Sequence, residues 1–568
     1  MVIAVVHYGH GRIRRMGEEV CMQQFATWWK EGVVYQIYPR SFQDSNDDGV
    51  GDIPGIIRRL DYLQWLGVSA IWLSPIYPSP MRDFGYDVSD YRGVDPLFGS
   101  LTDMDELIAK AHERGLKVIL DMVLNHTSNE HAWFRESSSS RDNPKSDFYI
   151  WKDKVPGNHK GLPNNWYACF GGRAWTFEPK RGQYYLHSFL AQQPDLNWRN
   201  DAVVEALFND MRFWLEKGVD GFRLDVINAI VKDDMFRDNP GCVGPTPRPY
   251  DMQRHLFDRN RPEAHGKLRR FRKMMDEYDD RMLVGEIMVE APGEPEKAAS
   301  YLGGGDNELH LAFDFTLLST KWGAGEWRRV AQRWYKAMPV AGWPCWVLSN
   351  HDMPRAISRF KGSLPKAKLA AMFLLTQRGT PFIYYGEEIG MTDIRLPRSK
   401  FQDPLGKKYW PFHPGRDPER SPMQWDSSLN AGFSAVRPWL PLCPDHSTKN
   451  VEVQKNEPDS MLSYYRALLQ LRNHDEVLRL GSHRFLETTS NDVMAYVREY
   501  RGMQRLVLLN FSGKALAVAP RSDGRNPDVE LAGGRALFST EGTDGSLNQL
   551  DDGRILLCAY QGLICSIV

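Results

Sequence analysis

The stretch GFRLDV at residues 221–226 is an apolar segment that contains one arginine and one aspartate. Charged side chains in such a segment are costly to bury unless they have partners, so their presence indicates a polar site. Arg223 and Asp225 are two residues apart and share one face if the segment is a strand. The stretch therefore predicts a buried strand whose carboxyl end carries reactive groups.

Seven similar apolar, β-branched or aromatic runs occur along the chain, with amphipathic segments between them. The eight runs are 33–40, 70–77, 117–123, 221–226, 282–287, 312–315, 345–352 and 381–388. Apolar residues recur at helical spacing in the segments 56–66, 103–114, 203–217, 263–278 and 366–377. Eight strand–helix repeats predict an α/β fold, a (β/α)₈ TIM barrel.

Three parts of the chain depart from a simple barrel. About 97 residues separate the third and fourth runs, which predicts an inserted subdomain over 126–198 after strand three. The segment 395–444 holds nine of the 35 prolines and is predicted to be an irregular lid. Short alternating runs from residue 481 onward predict a C-terminal antiparallel β-sandwich over 481–568. The barrel then covers 28–125 and 199–480, and 1–27 is an N-terminal extension.

The composition is that of an ordinary globular protein. Hydrophobic residues make up 42% and charged residues 25%, which excludes wholesale disorder. Lys and Arg (71) balance Asp and Glu (72), so the formal net charge is −1 and neither nucleic acid nor an anionic membrane is favoured as a partner. We expect a small neutral substrate and a monomer or homodimer.

Compartment signals are weak. The seven cysteines include no CxxC pair, which argues against a disulfide framework or a zinc ribbon. The apolar run near the start is too short for a signal peptide, and no stretch approaches the roughly 20 apolar residues of a membrane span. The sequence therefore predicts a cytoplasmic protein.

Polar residues end several of the predicted strands, where barrels carry their active sites. Asp225 ends run four, Glu286 lies in run five, and His351 and Asp352 end run seven. Each group taken alone is most simply explained as a strand-end ion pair or cap, but that explanation weakens across several strands. Three carboxyl groups at one rim suit cleavage of a glycosidic bond, which needs two opposed carboxyl roles.

Those two roles can be assigned from the local sequence. One carboxylate must be ionised to attack or stabilise the sugar, while another must keep its proton for the leaving oxygen. Arg223 would hold Asp225 ionised, because both lie on one strand face. Glu286, in the apolar run MLVGEI, is the better candidate to keep its proton.

Five ordered motifs resemble the signature segments of the α-amylase family, glycoside hydrolase family thirteen. They are DMVLNH (121–126), QPDLNW (193–198), GFRLDV (221–226), GEI (285–287) and SNHD (349–352). The resemblance extends from about Trp28 to the C-terminus. It implies that Asp225 is the nucleophile, Glu286 the general acid/base and Asp352 the transition-state stabiliser, with retention of the α configuration.

The resemblance also implies a pocket for the terminal glucose. Its lining would be Asp83, Tyr86, His126, Phe170, Phe189, Arg223, His351 and Arg420. Asp83 and Arg420 can pair and grip the terminal hydroxyls together. Phe170 and Phe189 are explained equally well by plain core packing. Asp121 and Asn125 are expected to brace the strand end.

Val226 follows the predicted nucleophile, and in similar proteins a valine there accompanies action on α-1,6 links. We therefore expect an exo-acting oligo-1,6-glucosidase. A broad or α-1,4-preferring α-glucosidase with transglucosylation is the nearest alternative. A transferase of the sucrose isomerase or trehalose synthase kind, and more distantly a non-catalytic binding barrel, are the others.

The segment 44–52 (DSNDDGVGD) places oxygen ligands at alternate positions with glycines between them, as a calcium loop does. Its predicted ligands are Asp44, Asn46, Asp48, the Val50 carbonyl and Asp52. Ca²⁺ is expected, Mg²⁺ suits the same oxygens, and a simple Asx-turn is the alternative. No organic cofactor is expected.

Overall fold

Eight parallel strands form a nearly closed barrel in the computed structural model, which describes residues 27–288, 293–521, 534–541 and 547–567. The strands are Val34–Ile37, Ala70–Leu73, Lys117–Val123, Gly221–Asp225, Met282–Glu286, Leu311–Phe313, Cys345–Val347 and Thr380–Tyr384. Each lies in or overlaps one of the eight predicted runs, which confirms the TIM barrel. The extension 1–27 lies outside the described residues except for its last residue.

The strands pair in sequence order around the barrel, and strand eight returns to strand one through Val34 opposite Phe382. The seam lies between strands six and seven, where the Cys345 thiol donates a hydrogen bond to the Ala312 carbonyl at 3.1 Å. Large side chains such as Trp72 and Phe313 fill the interior. The barrel is therefore a packed core that presents its strand ends at one rim.

Helices surround the barrel and follow its strands. The α-helices are Trp28–Glu31, Ile53–Arg58, Leu60–Leu66, Leu101–Glu113, Ala132–Ser139, Asp201–Glu216, Glu263–Met275, Pro295–Ser300, Thr316–Ser319, Ala324–Ala337, Ala356–Arg359, Leu364–Thr376, Pro404–Tyr409, Val451–Lys455, Met461–His474 and Glu476–Leu480. Short 3₁₀ turns cover Pro39–Ser41, His159–Gly161, Ile227–Ala229, Arg398–Lys400 and Pro418–Arg420. None of the helices in the described ranges is long and apolar enough to cross a bilayer.

The predicted helix 56–66 is in fact two helices that meet at Arg59. This residue leaves helical geometry (φ −108°, ψ 3°). Its guanidinium stacks on the Trp425 ring at 4.1 Å, and its Nε donates to Gln43 at 2.7 Å. These tertiary contacts override the local helical pattern.

The two insertions lie above the rim. The segment 126–198 contains a three-stranded antiparallel sheet made of Trp151–Lys152, Trp175–Glu178 and Gln183–Leu186. The Pro-rich segment 395–444 forms no strand and has one short α-helix, Pro404–Tyr409, with two 3₁₀ turns, and its role as a lid stays a prediction. The exact domain boundaries stay predictions.

Antiparallel sheets follow the last helix. The strands are Ser482–Thr488, Val493–Tyr500, Met503–Asn510, Leu516–Val518, Pro520–Arg521, Arg535–Ser539, Ile555–Leu557 and Gly562–Ile567. They form a six-stranded and a two-stranded sheet that share a core of aliphatic side chains. Arg498 of this unit donates to the Thr376 carbonyl at the end of a barrel helix (2.6 Å), which joins the two parts.

Asp220 organises the opposite end of the barrel, just before strand four. Its side chain is 2% exposed and accepts hydrogen bonds from His112 Nε2 (2.7 Å), Lys117 Nζ (3.0 Å) and the Val118 amide (2.9 Å). Burial alone would raise the pKa of Asp220, but these donors hold it below its ordinary value. Because the folded pKa is lowered, the stabilisation is present above the unfolded value and is lost as pH falls through the folded one.

We predict that Asp220→Asn lowers the free energy of unfolding at neutral pH by about 1–3 kcal/mol, because the buried donors lose an ionised acceptor. Urea unfolding measured between neutral and acidic pH should show the deficit shrinking below about pH 4. The control Asp105→Asn removes an exposed pair with Lys217 and should cost under about 1 kcal/mol. A D220N deficit that does not change with pH would contradict the ionic explanation.

Candidate active site

The predicted catalytic residues meet at the carboxyl-terminal rim of the barrel. Asp225 and Glu286 end adjacent strands whose register runs through Leu224 opposite Gly285. Asp352 follows strand seven, where Arg416 and Arg420 bind it, and it lies close enough to Arg223 for that charge to lower its pKa. Parallel strands present their ends on one side, so residues distant in the chain become neighbours.

Arg223 binds three carboxyl groups at once. Its Nη1 donates to Asp121 Oδ1 (2.8 Å) and Asp225 Oδ1 (2.7 Å), and its Nη2 donates to Glu286 Oε2. Arg223 as a whole is 1% exposed. One buried cation therefore fixes the positions of both predicted catalytic carboxyl groups on strands four and five.

The electrostatics of this cluster differ from the sequence expectation. Burial raises the pKa of Asp225 well above its ordinary value, opposed by Arg223 and assisted by Glu286 and Asp121. Burial likewise raises the pKa of Asp121 to about 6. Three carboxyl groups share one positive charge, so their protonation is coupled, and Arg223 alone does not outweigh burial at Asp225.

Asp352 has the opposite environment. Burial would raise its pKa, but the charges of Arg416 and Arg420 oppose burial and hold the pKa well below its usual range. Arg420 Nη2 and Arg416 Nη1 donate to Asp352 Oδ1 at 2.9 and 3.1 Å. The side chain is 32% exposed, so an ionised carboxylate faces the space above the rim.

His351 and Tyr86 form one stacked wall. Their rings are parallel within 3° with centroids 5.5 Å apart. The Tyr86 hydroxyl lies 2.6 Å from His351 Nε2 and donates to Asp121 Oδ2 at 3.0 Å, while Gln36 contacts His351 Nδ1 at 2.8 Å. Burial lowers the pKa of His351 to about 3, so the ring is neutral and serves as a hydrogen-bonding group.

The predicted pairing of Asp83 with Arg420 is wrong. Asp83 Oδ1 accepts from Arg416 Nη2 at 2.6 Å, while Arg420 is occupied by Asp352 and by the His351 carbonyl (2.7 Å). Arg416 also binds the buried Asp403. The two arginines are four residues apart around the RSPMQWD motif, and the sequence carries no signal that separates their roles.

The remaining predicted pocket residues lie beside this pair. The Phe170 ring packs under the Arg416 guanidinium (5.0 Å) and edge-on to Phe189, whose ring centroid is 5.1 Å from that of His126. Gln193, which we did not predict, donates to Asp83 Oδ2 at 3.0 Å. Its place in the QPDLNW motif was the available signal.

Val226 adopts a left-handed conformation that sequence reasoning did not anticipate. Its φ is 34° and its ψ 44°, a region that β-branched residues avoid at a cost of about 1–3 kcal/mol. The turn directs the Val226 amide toward Glu286 Oε2 at 3.3 Å. The strain thus lies immediately after the predicted nucleophile and contacts the predicted acid.

The loop 44–52 satisfies its oxygens internally. Asp44 accepts the amides of Asn46, Asp47 and Gly49, and Asp48 accepts that of Val50. Asp52 differs from the prediction, because its two oxygens accept from Ser45 and cap the helix Ile53–Arg58 through Gly55. Within the described ranges, no three His, Cys, Asp or Glu side chains are grouped to hold a metal ion.

Comparisons with known proteins agree with this geometry. Residues 36–481 match the model of the alpha-amylase catalytic domain. The chain belongs to the alpha-amylase family. It is 45% identical to a probable alpha-glucosidase of Rhizobium meliloti (86% of this chain, 90% of that protein) and 41% identical to an oligo-1,6-glucosidase of Parageobacillus thermoglucosidasius (86% and 91%).

Solved structures of this family superpose over nearly the whole chain. An alpha-glucosyl transfer enzyme has a TM-score of 0.88 at 42% identity, with 96% of this chain and 100% of that one covered. The trehalulose synthase of Pseudomonas mesoacidophila has a TM-score of 0.83 at 34% identity, with the same coverage. The solved structures that resemble this chain therefore include an alpha-glucosyl transfer enzyme and a trehalulose synthase.

We predict that a double-mutant cycle will separate the two arginines. In equilibrium unfolding, Asp83→Asn and Arg416→Lys should be coupled by about 1.5 kcal/mol or more, because they share a buried contact. The matched cycle of Asp83→Asn with Arg420→Lys should give less than about 0.5 kcal/mol. A stronger coupling of Asp83 to Arg420 than to Arg416 would instead support the pairing of Asp83 with Arg420 that the sequence predicted.

Proposed function

We propose that the protein is a retaining, exo-acting α-glucosidase that releases glucose from short oligosaccharides, with α-1,6 links favoured. The observation that carries the proposal is the convergence of Asp225, Glu286 and Asp352 at one rim, with the first two bound to the same guanidinium. The alpha-glucosidase and oligo-1,6-glucosidase names of its relatives support the substrate class.

The guanidinium that Asp225 and Glu286 share supports retention. Retaining glycosidases place them about 5–5.5 Å apart, whereas inverting ones need about 6.5–9.5 Å to admit a water. Asp225 and Glu286 both hydrogen-bond one planar guanidinium, which favours the shorter distance. In the proposed reaction Glu286 protonates the leaving oxygen while Asp225 attacks the anomeric carbon. Glu286 then takes a proton from the water that releases glucose.

Asp352 and the arginines complete the proposed glucose site. An ionised Asp352 stabilises positive charge that develops on the sugar ring, and its low pKa keeps it ionised at neutral pH. Asp83 and Arg416 present a carboxylate and a guanidinium side by side, which suits two adjacent hydroxyl groups. The flat faces of Tyr86 and Phe170 suit the apolar faces of a sugar.

Val226 is the proposed determinant of linkage. It directly follows Asp225, and its amide faces the acid that protonates the leaving group. A branched side chain there crowds one pose of the leaving sugar and packs against another, for about 1–3 kcal/mol of discrimination. The oligo-1,6-glucosidase names of several relatives support the α-1,6 preference itself.

Glucosyl transfer is the second candidate function. The alpha-glucosyl transfer enzyme and the trehalulose synthase among the structural matches favour it. Both reactions use the same glucosyl–enzyme intermediate and differ only in whether water or a sugar intercepts it.

Cytoplasmic location and a monomeric or dimeric state remain proposals.

We predict higher kcat/KM for isomaltose than for maltose, with α-glucose as the first product, because attack by Asp225 is followed by a second inversion. Val226→Ala should reduce the ratio of kcat/KM for isomaltose to kcat/KM for maltose by roughly tenfold or more. Val231 is another buried valine of this segment, and Val231→Ala should leave the ratio unchanged. Product NMR and initial rates provide the measurement.

Each other outcome of these assays identifies a different error. A β-glucose first product would refute retention, and maltose preference would refute the linkage. Accumulation of disaccharide isomers without glucose would favour transfer. Full activity of Asp225→Asn would remove the nucleophile assignment.

We also propose that Asp44, Asn46, Asp48 and the Val50 carbonyl hold Ca²⁺ or Mg²⁺. Two carboxylates, an amide and a carbonyl are the oxygen donors that hard cations prefer. This set contains only two acidic side chains, so it is not one of the groups of three His, Cys, Asp or Glu side chains that are absent from the described residues. Asp52 would brace the loop from outside it.

Calcium should then raise the midpoint of thermal unfolding, since a ligand that binds only the folded state stabilises it. Chelation should lower the midpoint, and Asp48→Asn should abolish the response. Asp105→Asn, an exposed acid elsewhere, should keep the response. A wild-type midpoint that responds to neither cation would refute the site.

A further inference from the structure

The hydrogen-bonded pairing between strands four and five ends just before the two proposed catalytic carboxyl groups. Its last paired residues are Leu224 and Gly285, one position before Asp225 and Glu286. Beyond Asp225 the chain turns sharply at Val226 into the 3₁₀ turn Ile227–Ala229. Ordinary strand pairing therefore cannot hold the end that carries Glu286 against the end that carries Asp225.

The side chain of Asn228 takes over this pairing. Its Nδ2 donates to the Met288 carbonyl (2.8 Å), and its Oδ1 accepts from the Met288 amide (3.0 Å). The amide thus makes the two-way contact that a neighbouring strand would make with a residue two positions after Glu286. Asn228 is 0% exposed, so these bonds have no competition from solvent.

The Asn228 amide is itself held in place. Its Nδ2 also donates to Asn260 Oδ1 (2.8 Å), and the Asn260 amide donates to the Asn228 carbonyl (2.8 Å). Tyr301 donates to the same Asn260 oxygen at 3.1 Å. With its partners fixed on both sides, the amide has a single satisfied orientation, and a strained turn such as Val226 persists only in surroundings of that kind.

We propose that Asn228 is a positioning residue. It holds the strand end that carries Glu286 beside the end that carries Asp225, in the position from which Glu286 protonates the leaving oxygen. The inference rests on the proposed glycosidase function. Asn228 touches neither the sugar nor the reacting atoms. It acts through the Met288 backbone on the strand end and through the turn that presents the Val226 amide to Glu286.

The test uses the dependence of the rate on the leaving group. A sugar leaving group needs the proton of the general acid, which contributes about 10²–10⁴ in rate, whereas fluoride leaves with little help. We expect Asn228→Ala to lower kcat/KM for isomaltose or maltose by roughly 100-fold and for α-glucosyl fluoride by less than about tenfold. kcat/KM is used because it reports the first, glucosyl-transferring step.

Asn510 provides a matched control in the C-terminal sheets. Its Nδ2 donates to the carbonyls of Lys514 and Cys558 and its Oδ1 accepts from the Ser512 amide, with 0% exposure. Asn510→Ala removes an equivalent buried amide but should leave the ratio between the two substrate classes unchanged. Asn228→Ser, which keeps one hydrogen-bonding group, should fall between wild type and Asn228→Ala and serves if the alanine variant does not fold.

The outcomes separate the two levels of the inference. Wild type that turns over neither substrate class would refute the proposed function. Active wild type with equal losses for sugar and fluoride leaving groups in the folded Asn228 variants would refute the positioning role alone. A loss confined to the sugar leaving group supports it.

Discussion

The contact of one buried guanidinium with three carboxyl groups is the constraint on which the rest of the site depends. Arg223 cannot neutralise Asp121, Asp225 and Glu286 together, because desolvation and like-charge repulsion oppose three buried negative charges beside one positive charge. Burial raises the pKa of both Asp225 and Asp121, and ionisation of each of these carboxyl groups opposes ionisation of its neighbour. The proposed reaction needs one proton and one negative charge on neighbouring carboxyl groups, and repulsion between carboxylates that share one cation favours such unequal protonation.

Asp352 lies outside that arrangement for a physical reason. Two arginines bind its carboxylate, and it is partly exposed, so its pKa lies well below that of an ordinary carboxyl group and it is ionised at neutral pH. The site therefore separates a group of constant charge from a group that exchanges a proton. Two carboxyl environments that differ in this way permit two chemical roles at a single pH.

Much of this could be predicted from the sequence because strand ends are marked by periodicity and composition. The eight runs fixed the barrel, and Asp225, Glu286 and Asp352 were found because each interrupts or follows an apolar run. The partner of Asp83 could not be found this way, since two arginines of equal chemistry lie four residues apart in an irregular segment. The left-handed Val226 could not either, because a β-branched residue disfavours that geometry and only tertiary contacts impose it.

Arg416 links the proposed sugar site to the lid. It binds Asp83 of the barrel, Asp352 of the rim and Asp403, which caps the lid helix Pro404–Tyr409. The same helix meets the inserted subdomain so closely that a Cβ at Gly171 would lie 1.7 Å from the Tyr409 hydroxyl.

Asp403 is fully buried and accepts both the backbone amide and the side chain of Arg416. The position of the guanidinium is therefore set by the lid, while its charge acts on the rim. Movement of the lid would withdraw the arginine from Asp83 and Asp352 together, so the proposed grip on the terminal sugar and the charge environment of the stabilising carboxylate are coupled through one side chain.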